Sequence, residues 1–318
     1  MRWRKLGKIF DPTQHHVVDN GIGFAQSPQT LIFDDFVRIY FSTRVEDASG
    51  KFLSKIAFVD MDKTLSTVLR ISSDDVIAPG KLGCFDEHGI FPMNVLRVGK
   101  EIYAYTCGWS RRVAVSVETG IGIAISRDDG LTFQRVGDGP ILSSSLHEAC
   151  LIGDGFVLKN NDQFHMWYIF GRNWKRYSDS AAPERIYKIG HAVSDDGINW
   201  HKDGGHQIIP DILGEDECQA LPTVLQIASR YHMFFCYREA TDFRTNKARG
   251  YRLGHAWSDD LQTWERDDQA CPLPGAAGEW DSDMQCYPHI FQCDEKIYLA
   301  YNGNQFGKFG FGIAQLEL

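Results

Sequence analysis

Four carboxylates recur at one place in the chain. Glu87, Glu148, Glu217 and Asp283 each stand five residues before a proline or its equivalent, at Pro92, Gly153, Pro222 and Pro288. Acids gathered at one mouth repel one another, so at least one of them is expected to keep its proton near neutral pH. A protonated carboxyl beside an ionised one is the equipment of general acid and base catalysis. Duplication of a repeat would also place such residues without any chemistry, and one acid at a strand end is ordinary. A fifth copy breaks the series: its matching slot is Gly23, with Asp19 and Asn20 just upstream.

A second set of side chains lies near these acids or at the ends of the strands that follow them: Arg44, Trp109, Arg172, Trp174, Arg238 and Asn302. Flat aromatic faces with forked donors suit a polar ring such as a sugar, stacked on one side and hydrogen-bonded at its rim. His88 and His147 adjoin Glu87 and Glu148 and join the substrate-binding candidates. Their spacing fits no metal set, and neither a metal nor a cofactor is expected. Lys175, Arg176, Arg185, Arg244 and Arg249 crowd two loops on the same side. Such a cluster is a solvated surface, or a seat for a phosphate or other acidic group.

The elements that must position these residues repeat. Gly122-Ile-Ala-Ile-Ser-Arg-Asp-Asp-Gly-Leu-Thr-Phe133, Gly190-His-Ala-Val-Ser-Asp-Asp-Gly-Ile-Asn-Trp200 and Gly254-His-Ala-Trp-Ser-Asp-Asp-Leu-Gln-Thr-Trp264 read almost alike. Each is a strand, an Asp-rich turn and a second strand led by an aromatic, a strong hairpin signal. The turns resemble the Asp-box hairpins of sialidases and other propellers. With degenerate copies the shared alanine falls at 57, 124, 192, 256 and 314. An aromatic strand precedes each copy, and an apolar strand, often led by Pro, precedes that. Five units of four strands are the propeller pattern. The last unit lacks its fourth strand, and Trp3-Arg-Lys-Leu-Gly7 matches the missing piece. The expectation is an all-β, five-bladed β-propeller over residues 1–318 as a single domain, its fifth blade closed by the N-terminal strand.

Composition narrows the partners. The chain has 318 residues, 33 Lys+Arg against 42 Asp+Glu and a net charge of −9. That balance speaks against nucleic acid, which asks for a basic footprint. No apolar run has the length of a membrane span. Met1-Arg-Trp-Arg-Lys-Leu-Gly is not followed by a signal-type apolar stretch, so a cytoplasmic location is expected. The eight cysteines form no Cys-x-x-Cys pair, and several sit in apolar strands, so buried free thiols are expected.

The chain resembles the five-bladed propeller superfamily of glycoside hydrolases, families 43, 32 and 68 and the mannoside-phosphorylase family 130. The local match is best at Glu217-Cys218, which looks like the Glu-Cys of the family-32 acid motif. The resemblance implies Glu217 as general acid and Glu148 as supporting carboxylate. It departs in the first unit, where Gly21-Ile-Gly-Phe-Ala-Gln-Ser-Pro28 has no Asn-Asp-Pro base motif. The pattern is also similar to propeller proteins of bacterial surface-polysaccharide assembly and to the N-terminal domain of plant glucosamine inositolphosphorylceramide transferase.

These readings together suggest an enzyme that cleaves or transfers a glycosidic linkage of a carbohydrate or activated-sugar substrate in the central pocket. Glu217 is its expected acid, Glu148 its support, and Glu87 or Asp283 the base or a hydroxyl ligand. A glycosyltransferase or phosphorylase-type enzyme dispenses with the absent base and gives the loop cations a purpose. A non-catalytic sugar-binding propeller also fits the missing base.

Overall fold

The structure is a computed structural model that describes residues 1–271, 273 and 275–317. Among these, twenty strands form five four-stranded antiparallel sheets. Strand β1 (Arg2–Phe10) comes first in sequence and belongs to the last blade. Blade one is β2 (Gln26–Ile32), β3 (Phe36–Glu46), β4 (Phe52–Asp62) and β5 (Val68–Ile71). Blade two is β6 (Ile90–Val98), β7 (Glu101–Arg111), β8 (Val117–Ser126) and β9 (Gln134–Arg135). Blade three is β10 (Cys150–Asn160), β11 (Gln163–Lys175), β12 (Glu184–Ser194) and β13 (His201–Lys202). Blade four is β14 (Glu217–Ile227), β15 (Arg230–Glu239), β16 (Arg252–Ser258) and β17 (Glu265–Arg266). Blade five is β18 (Cys286–Cys293), β19 (Lys296–Asn302) and β20 (Phe311–Glu317), completed by β1. The innermost strands β2, β6, β10, β14 and β18 each touch both neighbours, and β18 returns to β2, so the sheets close into a ring. This is the five-bladed propeller that the repeats predict. No helix among the described residues is long and apolar enough to cross a membrane.

The repeated residues explain why the blades stack. Both faces of each sheet lie against a neighbouring blade, so the middle strands are buried along their centres, as over Phe164–Gly171 of β11 and Met233–Arg238 of β15. The aromatic that leads each outer strand packs edge-on against an aromatic of the preceding blade. The pairs are Phe133 on Tyr40, Trp200 on Tyr105, Trp264 on Trp167 and Trp3 on Phe234, with centroids 5.4–5.9 Å apart. Such a T-shaped pair adds about 1 kcal/mol beyond the area it buries. The turn aspartates close the hairpins: Asp196 Oδ1 accepts the Ile198 and Asn199 N–H groups, and Asp260 Oδ1 those of Gln262 and Thr263. These bonds favour the charged form and hold both carboxyls below the usual range.

In blades two to five the recurrent alanine has a partner of constant character. Across the outer ladder, Ala124 faces Arg135, Ala192 faces Lys202, Ala256 faces Arg266 and Ala314 faces Lys5. Each of these cations ion-pairs with a buried acid on the segment that leads into, or opens, its own innermost strand. The pairs are Arg135 with Asp86 at 2.5 Å, Lys202 with Glu148, Arg266 with Glu217 at 2.6 Å and Lys5 with Asp281 at 2.8 Å. The pin ties the rim of the blade to its hub.

Each innermost strand carries a bulge near the channel mouth, and Ser27, Leu151, Leu221 and Tyr287 have positive φ there. This register makes Ile152, not Gly153, the counterpart of Pro28, Pro92, Pro222 and Pro288. His147 therefore occupies the shared offset in blade three, and Glu148 lies one residue nearer the strand.

Candidate functional site

The channel is closed below by polar residues of the innermost strands that bond across it. Asn94 donates to Gln29 and accepts from the Val157 N–H, and His289 accepts from the Thr30 N–H. Above this floor lies a cavity of about 210 Å³. Its walls include Trp109, Tyr187, Tyr251, Tyr287, Arg44 and Arg185, and one carboxylate, Asp154. The cavity opens into a vestibule of about 760 Å³, with which it shares Arg44, Phe52, Arg185, Tyr251 and Tyr287.

Asp154 reaches the cavity because β10 has a second register shift that no other innermost strand has, between Gly153 and Phe156. A bulge re-aims the residues inside it. Gly153 fits the tight passage: a Cβ there would come within 2.6 Å of Cys107 Sγ. Asp154 is 8% exposed, and its carboxylate accepts a long bond of 3.4 Å from the Leu221 N–H. Burial raises its pKa to about 7, against the pull of the Leu221 N–H and the Arg185 charge. Its protonated form therefore persists well above the pH at which an ordinary aspartate ionises.

The cavity's cations form no salt bridge with a carboxylate among the described residues. Arg44 Nε donates to Gln26, and its guanidinium lies between the rings of Phe24 and Phe52, 4.1 and 4.3 Å from their centroids. Burial pulls its pKa below the usual value. Arg185 is half-buried, and the acid it feels is Asp154. Behind the wall, the buried Arg238 donates to Tyr187 Oη at 3.0 Å, and Tyr187 meets Tyr251 Oη at 2.5 Å. A guanidinium only donates, so Tyr187 accepts from it, and the two phenols share one further hydrogen bond. Tyr251 also lines the cavity. Burial raises the pKa of both tyrosines, so both stay protonated.

Of the four acids expected at the mouth, none lines the cavity. Glu148 and Glu217 are fully buried pins of their blades. Glu217 also accepts from the Ile212 and Leu213 N–H groups and from Gln219, which leaves it no free face. Glu148 accepts from Tyr168 Oη at 2.5 Å and from the Gly205 N–H. Glu87 accepts from the Gly83 N–H and sits 3.4 Å from His88. Asp283 lies on the vestibule wall, paired with Lys247 at 2.7 Å.

The binding candidates divide likewise. Arg44 and Trp109 line the cavity, and Arg238 lines the vestibule. His88 stacks beneath Trp109, with centroids 5.5 Å apart, and accepts from the Arg111 N–H. Asn302 is wholly buried, binding Ser27, Ala25 and Gly310 so that blade five is knitted to blade one. Trp174 packs against the core. His147 is exposed, and Arg172 is exposed beside Gln207. Of the loop cations, Lys175 pairs with Asp216 and Arg249 with Glu239, whereas Arg185 turns to the cavity and Arg244 to the vestibule.

Asp154, Tyr187, Tyr251 and Tyr287 carry the site without standing at the position where the acids recur. One signal was present for the first: Gly153-Asp154-Gly155 sets a charge between two glycines inside an apolar strand.

The architecture is that of the five-bladed glycosidase propellers. A solved glycoside hydrolase superposes with a TM-score of 0.74 at 16% identity, covering 99% of this chain and 92% of its own. A thermostable family-43 glycoside hydrolase gives 0.63 at 11% identity, covering 92% and 90%. In sequence, the uncharacterized protein Rv1502 of Mycobacterium tuberculosis (strain H37Rv) is 32% identical over 320 residues, spanning the whole of both chains. The chain belongs to the family of that mycobacterial protein. The β-1,2-mannobiose phosphorylase of Thermoanaerobacter sp. (strain X514) is 29% identical over 138 residues, 41% of this chain and 44% of its own length. No family model matches the chain.

Proposed function

We propose that the protein breaks a glycosidic bond in the central cavity by transferring the sugar to inorganic phosphate. The observation that carries this reading is a single protonatable carboxyl sharing its cavity with two guanidiniums that form no salt bridge with a carboxylate among the described residues. Hydrolysis by a carboxylate pair needs a second acid across the sugar, and the cavity lining holds none. Arg44 and Arg185 instead suit an anionic nucleophile that brings its own charge. Asp154 gives its proton to the leaving oxygen as the bond from the anomeric carbon breaks. A phosphate oxygen bonds to that carbon, and the proton carried by hydrogen phosphate replaces the one Asp154 gave. Trp109 and the tyrosines offer faces for the ring, and Tyr251 a hydroxyl for its rim. The partial likeness to a mannobiose phosphorylase supports the same chemistry and makes β-1,2-mannobiose the first substrate to try.

The test is release of sugar 1-phosphate from β-1,2-mannobiose and a panel of other disaccharides, with and without orthophosphate. Turnover is expected only with phosphate, and Asp154→Asn is expected to lower it by about a thousandfold, the scale of a lost general acid. Reducing sugar released equally well without phosphate, or full activity in the Asn variant, would sink the assignment.

A further inference from the structure

The vestibule carries a charge that the chemistry above leaves unused. Six cations line it, Arg44, Arg185, Arg238, Arg244, Lys247 and Lys308, against one carboxylate, Asp283, in a chain whose net charge is −9. Lys247 answers Asp283, and Arg244 lies 3.5 Å from Glu184 at the surface. The other four form no salt bridge with a carboxylate among the described residues. Arg238 is the most telling, because it is 1% exposed and its Nε has no hydrogen-bond partner. Its two terminal nitrogens go to the Glu239 and Ala240 carbonyls and to Tyr187, and the Phe243 ring lies 3.5 Å from its centre. A buried charge left without a counter-charge is costly to a fold, and it raises the affinity of the adjoining space for an anion.

Depth separates two anion positions. Asp154 lines only the inner cavity, while Arg238, Arg244 and Lys308 line only the vestibule. Arg44 and Arg185 stand at the neck between them. An inner space of about 210 Å³ suits one sugar ring, so the other half of a glycoside must lie in the vestibule among the outer cations. We propose that the leaving half of the substrate carries a phosphate group, held over Arg238 by Arg244 and Lys308. This rests on the phosphorolytic reading for the inner site but draws on different side chains. Phe243 and Phe306 flank the same space and give the body of that half an apolar wall.

The experiment is calorimetric titration at fixed ionic strength, using orthophosphate, glycerol 3-phosphate and glycerate as probes. Wild type, Arg185→Ala and the double variant Arg244→Ala/Lys308→Ala are compared, with melting curves to confirm folding. Wild type is expected to take two orthophosphates. The double variant should lose about tenfold or more in affinity at one site only, and Arg185→Ala at the other. Glycerol 3-phosphate should bind the outer site at least about tenfold more tightly than glycerate, which has one charge fewer to offer. A single site unmoved by the double variant would overturn the proposal, as would glycerate binding as tightly as glycerol 3-phosphate. Two anion sites in a protein that performs no phosphorolysis would remove the catalytic reading and leave this one standing.

Discussion

Asp154 shows how a site can cost the fold something that titration reveals. An unfolded aspartate ionises near 3.8, whereas this one does so at about 7. Between those values the folded chain keeps a proton that the unfolded chain has released, so stability falls as pH rises through the window. Across the window the loss is about 4 kcal/mol. Asn at 154 has no charge to desolvate. The Asp154→Asn variant is therefore expected to gain on the wild type from pH 4.5 up to about pH 7 in urea unfolding and to level off above it, while activity disappears. A difference between the two that stays constant with pH would mean that the carboxyl is not desolvated. At this scale the sequence shows part of the site. Arg44 and Trp109 fall at strand ends that the repeat marks, and Arg185 belongs to the loop cluster. Asp154 escapes because it lies inside a strand, exposed by a bulge whose register depends on neighbouring sheets.

Among elements, the pins decide what the recurrent acids do. Glu217 and Arg266 are both almost fully buried, with side chains 0% and 4% exposed. Arg266 also holds Asp268 at 3.0 Å, so removing the Glu217 charge leaves it one partner and costs about 2–3 kcal/mol, below the penalty of a fully stranded charge. Glu217→Gln is thus expected to lower the melting temperature sharply, while the molecules that remain folded keep their turnover. A stable variant without activity would restore Glu217 to the acid role that its neighbour Cys218 suggests. The sequence makes the acids and the alanine repeat visible, yet not their pairing. The cations opposite the alanines sit on outer strands, two residues long in blades two, three and four, that local pattern barely registers. The ladder partner and the ion pair are both set by the third dimension.

For the whole molecule, five repeats with a displaced fourth strand were enough to read the ring. Closure leaves no free sheet edge at the join: β1 pairs with β20 from Arg2 opposite Glu317 to Phe10 opposite Phe311. It also brings Trp3 to Phe234 and Lys5 to Asp281. A chain lacking residues 1–10 is expected to lose cooperative unfolding, and a synthetic peptide of residues 1–11 should restore it in part. A cooperative, unchanged transition without those residues would show that the ring does not depend on its seam. The pairing of Arg2 with Glu317 also orders events on the ribosome. Strand β1 must wait for β20, roughly 15–60 s at ordinary elongation rates. Until then the nascent chain trails an unmatched ribbon, so any product released early keeps an open seam for chaperones and proteases to find.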